Sequence, residues 1–234
     1  MKVGTSKTMT AVALSVLLLL SLPVWAGDVV DRIVAMVNGR IILQSDWEEA
    51  LCYEALLSGR NLSQFSADDR RAVLDRLIDQ ELLHEQMKSA DFQHATESEA
   101  QARIDEARKQ YPQASTTEGW RSLLAGYHLT EKDVLAHVQR HLDVMRLVDA
   151  HLRPTVQIDS KSIEAYYRDK FVPQLRQSGA TAVPLADVAG KIRELLTQEK
   201  VSELLVSWLQ SLRSESDVRV PGAAAPAIEG VQTR

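Results

Sequence analysis

The chain has a single cysteine, Cys52, among its 234 residues. An internal disulfide is therefore excluded, and the fold must be held by its apolar core and helix caps. Cys52 lies beside Leu51 and Leu56 with no histidine or basic neighbour in sequence to activate it, so it reads as a small apolar filler rather than a reactive thiol. Beyond the first residues there is no apolar run approaching the roughly 20 residues that span a bilayer. Basic residues are not in excess: 27 Lys and Arg stand against 32 Asp and Glu, a net charge of −5. That balance argues against a general nucleic-acid binder, which presents a basic face. No segment repeats at a fixed period, which disfavours a helical solenoid.

Catalytic patterns are also missing. Gly190-Lys191 fails as a phosphate loop, because Leu185 stands where the first glycine is needed and Ile192 where Ser or Thr must follow the lysine. There is no Gly-x-Ser-x-Gly elbow. Asp133, His137 and His141 fall at four-residue spacing on one helix face, a geometry open to a metal. No His-Glu-x-x-His pattern or cysteine cluster accompanies them, so they read as a solvated face on which Asp133 and His137 form a weak pair. His84, His94, His128 and His151 show no further pattern. Acidic pairs such as Glu48-Glu49 and Asp68-Asp69 sit at helix starts, where the macrodipole accounts for them. Hence no catalytic, cofactor-binding or metal-binding residue is assigned.

What is present begins with a leader. Lys2 and Lys7 precede an apolar stretch from Met9 to Leu22, followed by Pro23-Val24-Trp25-Ala26. This reads as a secretory signal over residues 1–26, cleaved between Ala26 and Gly27. Setting it aside makes the remaining chain more acidic.

In Ile33–Val37, Ile33, Ala35 and Val37 fall on one strand face, with Val34 and Met36 on the other. Asn38-Gly39 predicts a tight turn, and Arg40–Leu43 runs back. An isolated hairpin is barely stable. Asp217–Val220 is the remaining strand signal, so it is expected to pair with the hairpin and join the two ends of the chain. Helices fill the interval. Ser45 with Glu48, Ser66 with Asp69, Thr96 with Glu99 and Thr130 with Asp133 predict four capped starts. Gly59 ends the first helix, and a short one over Glu118–Ala125 closes at Gly126. Pro154 stops the long helix that Thr130 opens. Asp159 caps a helix through Phe171, and Pro173–Ala182 reads as a polar linker. Asp187–Leu212 is the last helix, with Val188, Ile192, Leu196, Val201, Leu205, Trp208 and Leu212 on its apolar side. Residues 221–234, rich in Gly, Ala and Pro, are expected to be disordered.

Asp31–Leu43 with Gln44-Ser45-Asp46 resembles the opening of SurA-type periplasmic chaperones and related parvulin-type foldases. Leu74–Leu83 is similar to the helix that follows there. Arg153-Pro154-Thr155-Val156 with Ile163–Tyr167 resembles the family's link before its isomerase domain, while Pro184–Val188 and Ser207–Arg213 resemble its closing helix. The resemblance covers residues 28–220, and the order of the motifs carries it. It implies a mainly α fold, a multi-helix chaperone core in which a small antiparallel sheet joins the N-terminal hairpin to the C-terminal strand. It also implies ATP-independent holding of unfolded polypeptides in the periplasm, outer-membrane proteins above all, without a cofactor. The family's parvulin domain of ~90 residues would fall between the tyrosine pair and the closing helix, and Phe171–Val183 leaves no room for it. No isomerase residue is carried over, and an enzyme is not expected. The alternatives are a peptidyl-prolyl isomerase and a subunit dedicated to one envelope partner. A homodimer is compatible with the sequence, which does not identify the residues of a client groove.

Overall fold

The computed structural model describes residues 31–88, 92–179, 181 and 183–221. The expected cleavage site at Ala26 and Gly27, and residues 222–234, lie outside them. Asn38 and Gly39 both take positive φ, 49° and 85°, and so turn β1 (Ile33–Val37) into β2 (Arg40–Leu43). Val37 pairs with Arg40, Met36 with Ile41 and Ala35 with Ile42, after which the register shifts before Ile33. That bulge corrects the strict alternation expected of β1. Val34 and Ala35 are both buried, and Ile33 is 39% exposed, because the extra residue turns the strand over.

The C-terminal strand β3 (Val218–Arg219) adds to the other side of β1, antiparallel, giving the order β2-β1-β3. The two ends of the fold are thus joined in one sheet, as expected. The strand is shorter than residues 217–220. Asp217 is held instead by the turn: its C=O accepts from Asn38 N–H at 2.9 Å and its N–H donates to Asn38 Oδ1 at 2.8 Å. Pro221, which has no N–H, follows Val220.

Eight α-helical segments follow among the described residues: α1 (Gln44–Ser58), α2 (Ala67–Gln86), α3 (Glu97–Arg108), α4 (Thr117–Gly126), α5 (Glu131–Leu152), α6 (Ser160–Tyr166), α7 (Val172–Gln177) and α8 (Leu185–Glu215). Ser66, Thr96, Thr130 and Asp159 cap their helices through side-chain oxygens. The start of α1 departs from expectation. No linker separates it from β2, so the cap falls on Leu43, whose N–H donates to Asp46 Oδ2 at 2.9 Å. At the other end Gly59 takes φ 63°. After α4 the left-handed residue is His128, φ 57°, rather than Gly126.

Part of the expected linker is helical. Between α6 and α7 the chain makes a π-helical stretch, Tyr167–Phe171. Pro173 offers no N–H and its ring would collide with the carbonyl four residues earlier, on Asp169. Widening there carries the helix past the proline. The closing helix α8 exceeds residues 187–212 at both ends. Pro184, at φ −57°, leads into its first turn. Beyond Leu212, Arg213 donates to Asp79 Oδ1 at 2.6 Å and to the Asp75 carbonyl at 2.9 Å, which pins the last turn to α2.

The core is a chain of small clusters. Val34, Ala35, Val37 and Ile42 of the sheet pack on Ile78 and Leu82 of α2, with Leu212, Val218 and Val220 alongside. Leu56, Ile104, Trp120, Leu124 and Val134 form a second cluster, and Cys52 is buried in it as apolar filler. Helix α8 meets Val148 and Leu152 through Val201, and Ile163 through Val188 and Ile192. Among the described residues, no helix is long and apolar enough to cross a membrane.

Candidate functional site

An open cleft of about 470 Å³ lies where β2 meets α1, α2 and α5. Strand β2 supplies Arg40, Ile41 and Ile42; α1 supplies Asp46 and Glu49; α2 supplies Leu77, Gln80, Glu81 and His84. Met87 and His94 come from the residues after α2, and His137, Arg140, Asp143 and Val144 from α5. Aliphatic and thioether side chains make its apolar part, with Ile41 as much as 49% exposed. Its polar part is largely self-paired. Arg40 reaches Glu81 at 2.6 Å, Arg140 lies 3.7 Å from Glu49, and His94 Nδ1 is 2.8 Å from Asp143 Oδ2.

His137 stands apart. It is only 8% exposed, the one buried polar side chain among the described residues. Its ring stacks on Tyr53 of α1, with centroids 4.2 Å apart and planes 7° from parallel. Arg140 Nη2 lies 3.2 Å from its Nδ1. A guanidinium only donates, so Nδ1 accepts and Nε2 carries the hydrogen. Glu49 Oε1 is 3.0 Å from Nε2, so that buried nitrogen faces a carboxylate although it makes no hydrogen bond of ordinary geometry. Burial, followed by the charge of Arg140, brings the His137 pKa down to about 4, with Asp133 opposing. Burial raises that of Glu49, aided by Asp133 and Asp46 and opposed by Arg140.

The reading of Asp133, His137 and His141 as one solvated face is therefore corrected. Asp133 caps α5, bonded to Thr130 at 2.7 Å; His137 turns inward onto Tyr53; His141 is exposed. No three potential ligands converge on a metal position among the described residues. Instead His84, His94 and His137, which share no sequence pattern, face one cleft. No local signal could have grouped them, because α2, the turn after it and α5 come together only through packing. Among the described residues, no serine, threonine or cysteine lines the cleft. It can cover an apolar side chain and present polar groups around it. On the far side of Tyr53 a second, smaller hollow of about 100 Å³ is lined by Leu57, Ile104, Trp120, Leu123 and Val138.

No family model and no curated protein matches the chain. Among solved structures it is similar to a chain from work on the virulence factor PEB4 and the periplasmic protein Cj1289, two structurally related SurA-like chaperones of Campylobacter jejuni. That likeness covers 82% of this chain and 99% of the other, at 11% identity and a TM-score of 0.49.

Proposed function

We propose that the protein is an ATP-independent holdase of the bacterial periplasm, with residues 28–220 acting as one chaperone unit after removal of the leader at Ala26. The observation that carries this reading is the open cleft beside β2. Ile41, Leu77, Met87 and Val144 line it together with paired charges. Such a surface suits a polypeptide whose side chains alternate between apolar and polar, as outer-membrane strands do. Weak contacts at several positions, with no nucleotide cycle, allow release by mass action. The order of motifs shared with SurA-type chaperones supports the same conclusion.

The test is aggregation of an unfolded porin diluted from urea. The protein at near-stoichiometric ratio should suppress light scattering without ATP. Scattering equal to that of the porin alone overturns the reading. Prolyl isomerisation of a model peptide should stay at its background rate in the same samples.

A further inference from the structure

We infer that the client segment enters this cleft as an extended strand, bonded through its main chain to Ile41 at the edge of the sheet. The inference rests on the holdase reading and gives it a binding mode. The order β2-β1-β3 leaves β2 at an edge. Along β1 the main-chain groups alternate between neighbours. Asn38 N–H points to β3, donating to the Asp217 carbonyl, and Met36 is paired with Arg219 on that side. Val37 therefore points to Arg40. Ile41 stands opposite Met36, so its N–H and C=O point away from β1.

Arg40, Ile41 and Ile42 are consecutive, and all three line the cleft. Side chains of consecutive strand residues leave on opposite faces, so the hollow runs along the edge of the strand rather than beneath one face. Leu43 N–H is already taken by Asp46, which limits pairing to a short bridge centred on Ile41.

The charges narrow the occupant. Among the described residues two guanidiniums, Arg40 and Arg140, stand against four carboxylates, Asp46, Glu49, Glu81 and Asp143, so the cleft favours a segment with neutral or basic side chains over an acidic one. Main-chain pairing gives affinity without demanding one sequence, as in other strand-addition complexes.

The probe is a fluorescent peptide of alternating valine and lysine. Two further versions carry glutamate for lysine or N-methyl groups on every second amide. At saturation the Ile41 amide of the full chain should exchange hydrogen at least about tenfold more slowly, the effect of one added hydrogen bond. Ile41→Pro removes the outward N–H and leaves the ladder to β1 intact. It should weaken the peptide by about tenfold or more, whereas Ile41→Val retains binding. N-methylation reads the same bonds from the client side and should weaken binding even where the proline variant fails to fold. Unchanged exchange at Ile41 with peptide bound, or full affinity of the N-methylated peptide, overturns strand addition. If the proline variant keeps both peptide affinity and suppression of porin scattering, strand addition falls and the holdase reading stands. A wild-type chain that binds no peptide and holds no porin removes both. Equal affinity for the glutamate version overturns the charge preference.

Discussion

His137 couples the cleft to pH. The ring is stacked on Tyr53 in a buried site that disfavours its charged form, bringing its pKa from 6.5 to about 4. Below pH 6.5 the unfolded chain takes up a proton at this residue that the folded chain refuses. Folding stability therefore falls as pH drops from about 6.5 towards 4, and above that window the residue costs nothing. The ceiling on the loss is roughly 3 kcal/mol, the free energy that separates two titrations lying so far apart in pH. Glu49 acts in the opposite sense at the acid end. Its raised pKa means that the folded state gains a proton there before the unfolded state does. Urea midpoints measured from pH 7.5 to 5 should fall for the wild type. His137→Phe keeps a ring against Tyr53 and cannot titrate, so its midpoint should fall less steeply. Equal slopes would place the titration elsewhere.

Helices show where local sequence suffices. Ser66 with Asp69, Thr96 with Glu99 and Thr130 with Asp133 are reciprocal caps, legible because donor and acceptor lie three residues apart. Asn38-Gly39 is legible for the same reason. The cap of α1 is not, because β2 runs into the helix without a break and moves its start to Leu43. Pro173 has the look of a breaker in sequence, yet the π-helical turn before it absorbs the clash. The cleft is the least legible feature. His137 becomes buried only when α1 brings Tyr53 and Glu49 to it, and periodicity along one helix carries no trace of its neighbour.

Two glycines give this scale its prediction. A Cβ at Gly190, inside α8, would meet nothing within 4 Å, whereas at Gly119 in α4 it would fall 2.1 Å from the Gln113 carbonyl oxygen. Gly190→Ala should stabilise by about 0.5–1 kcal/mol through helix propensity, raising Tm by roughly 1–4 °C. Gly119→Ala forces backbone apart and should destabilise by about 1–3 kcal/mol. Calorimetry of the two variants checks both signs.

For the whole molecule, the decisive contacts are those between its ends. Asn38 donates to Glu85 Oε2 at 2.6 Å and to Ser216 Oγ at 3.1 Å, while its Oδ1 accepts from Asp217 N–H. One turn residue thus ties α2, the end of α8 and β3 together. Val218 and Val220 complete the apolar cluster beneath the sheet. A chain ending at Glu215 should lose about 2–4 kcal/mol relative to one ending at Pro221, as two half-buried valines and the β3 bonds disappear. Native-state hydrogen exchange should show the loss first at Met36 and Asn38, whose amides face β3. Exchange at those amides that matches the longer chain would contradict it.

Asn38 and Asp217 are 179 residues apart in sequence. A polypeptide emerging N-terminus first from a ribosome or a membrane channel makes its hairpin early and its third strand almost last. Closing so long a loop is entropically expensive and slow. Until Val218 arrives, both edges of the nascent ribbon stand open, so the molecule passes through a stage in which it resembles the kind of substrate it is inferred to protect.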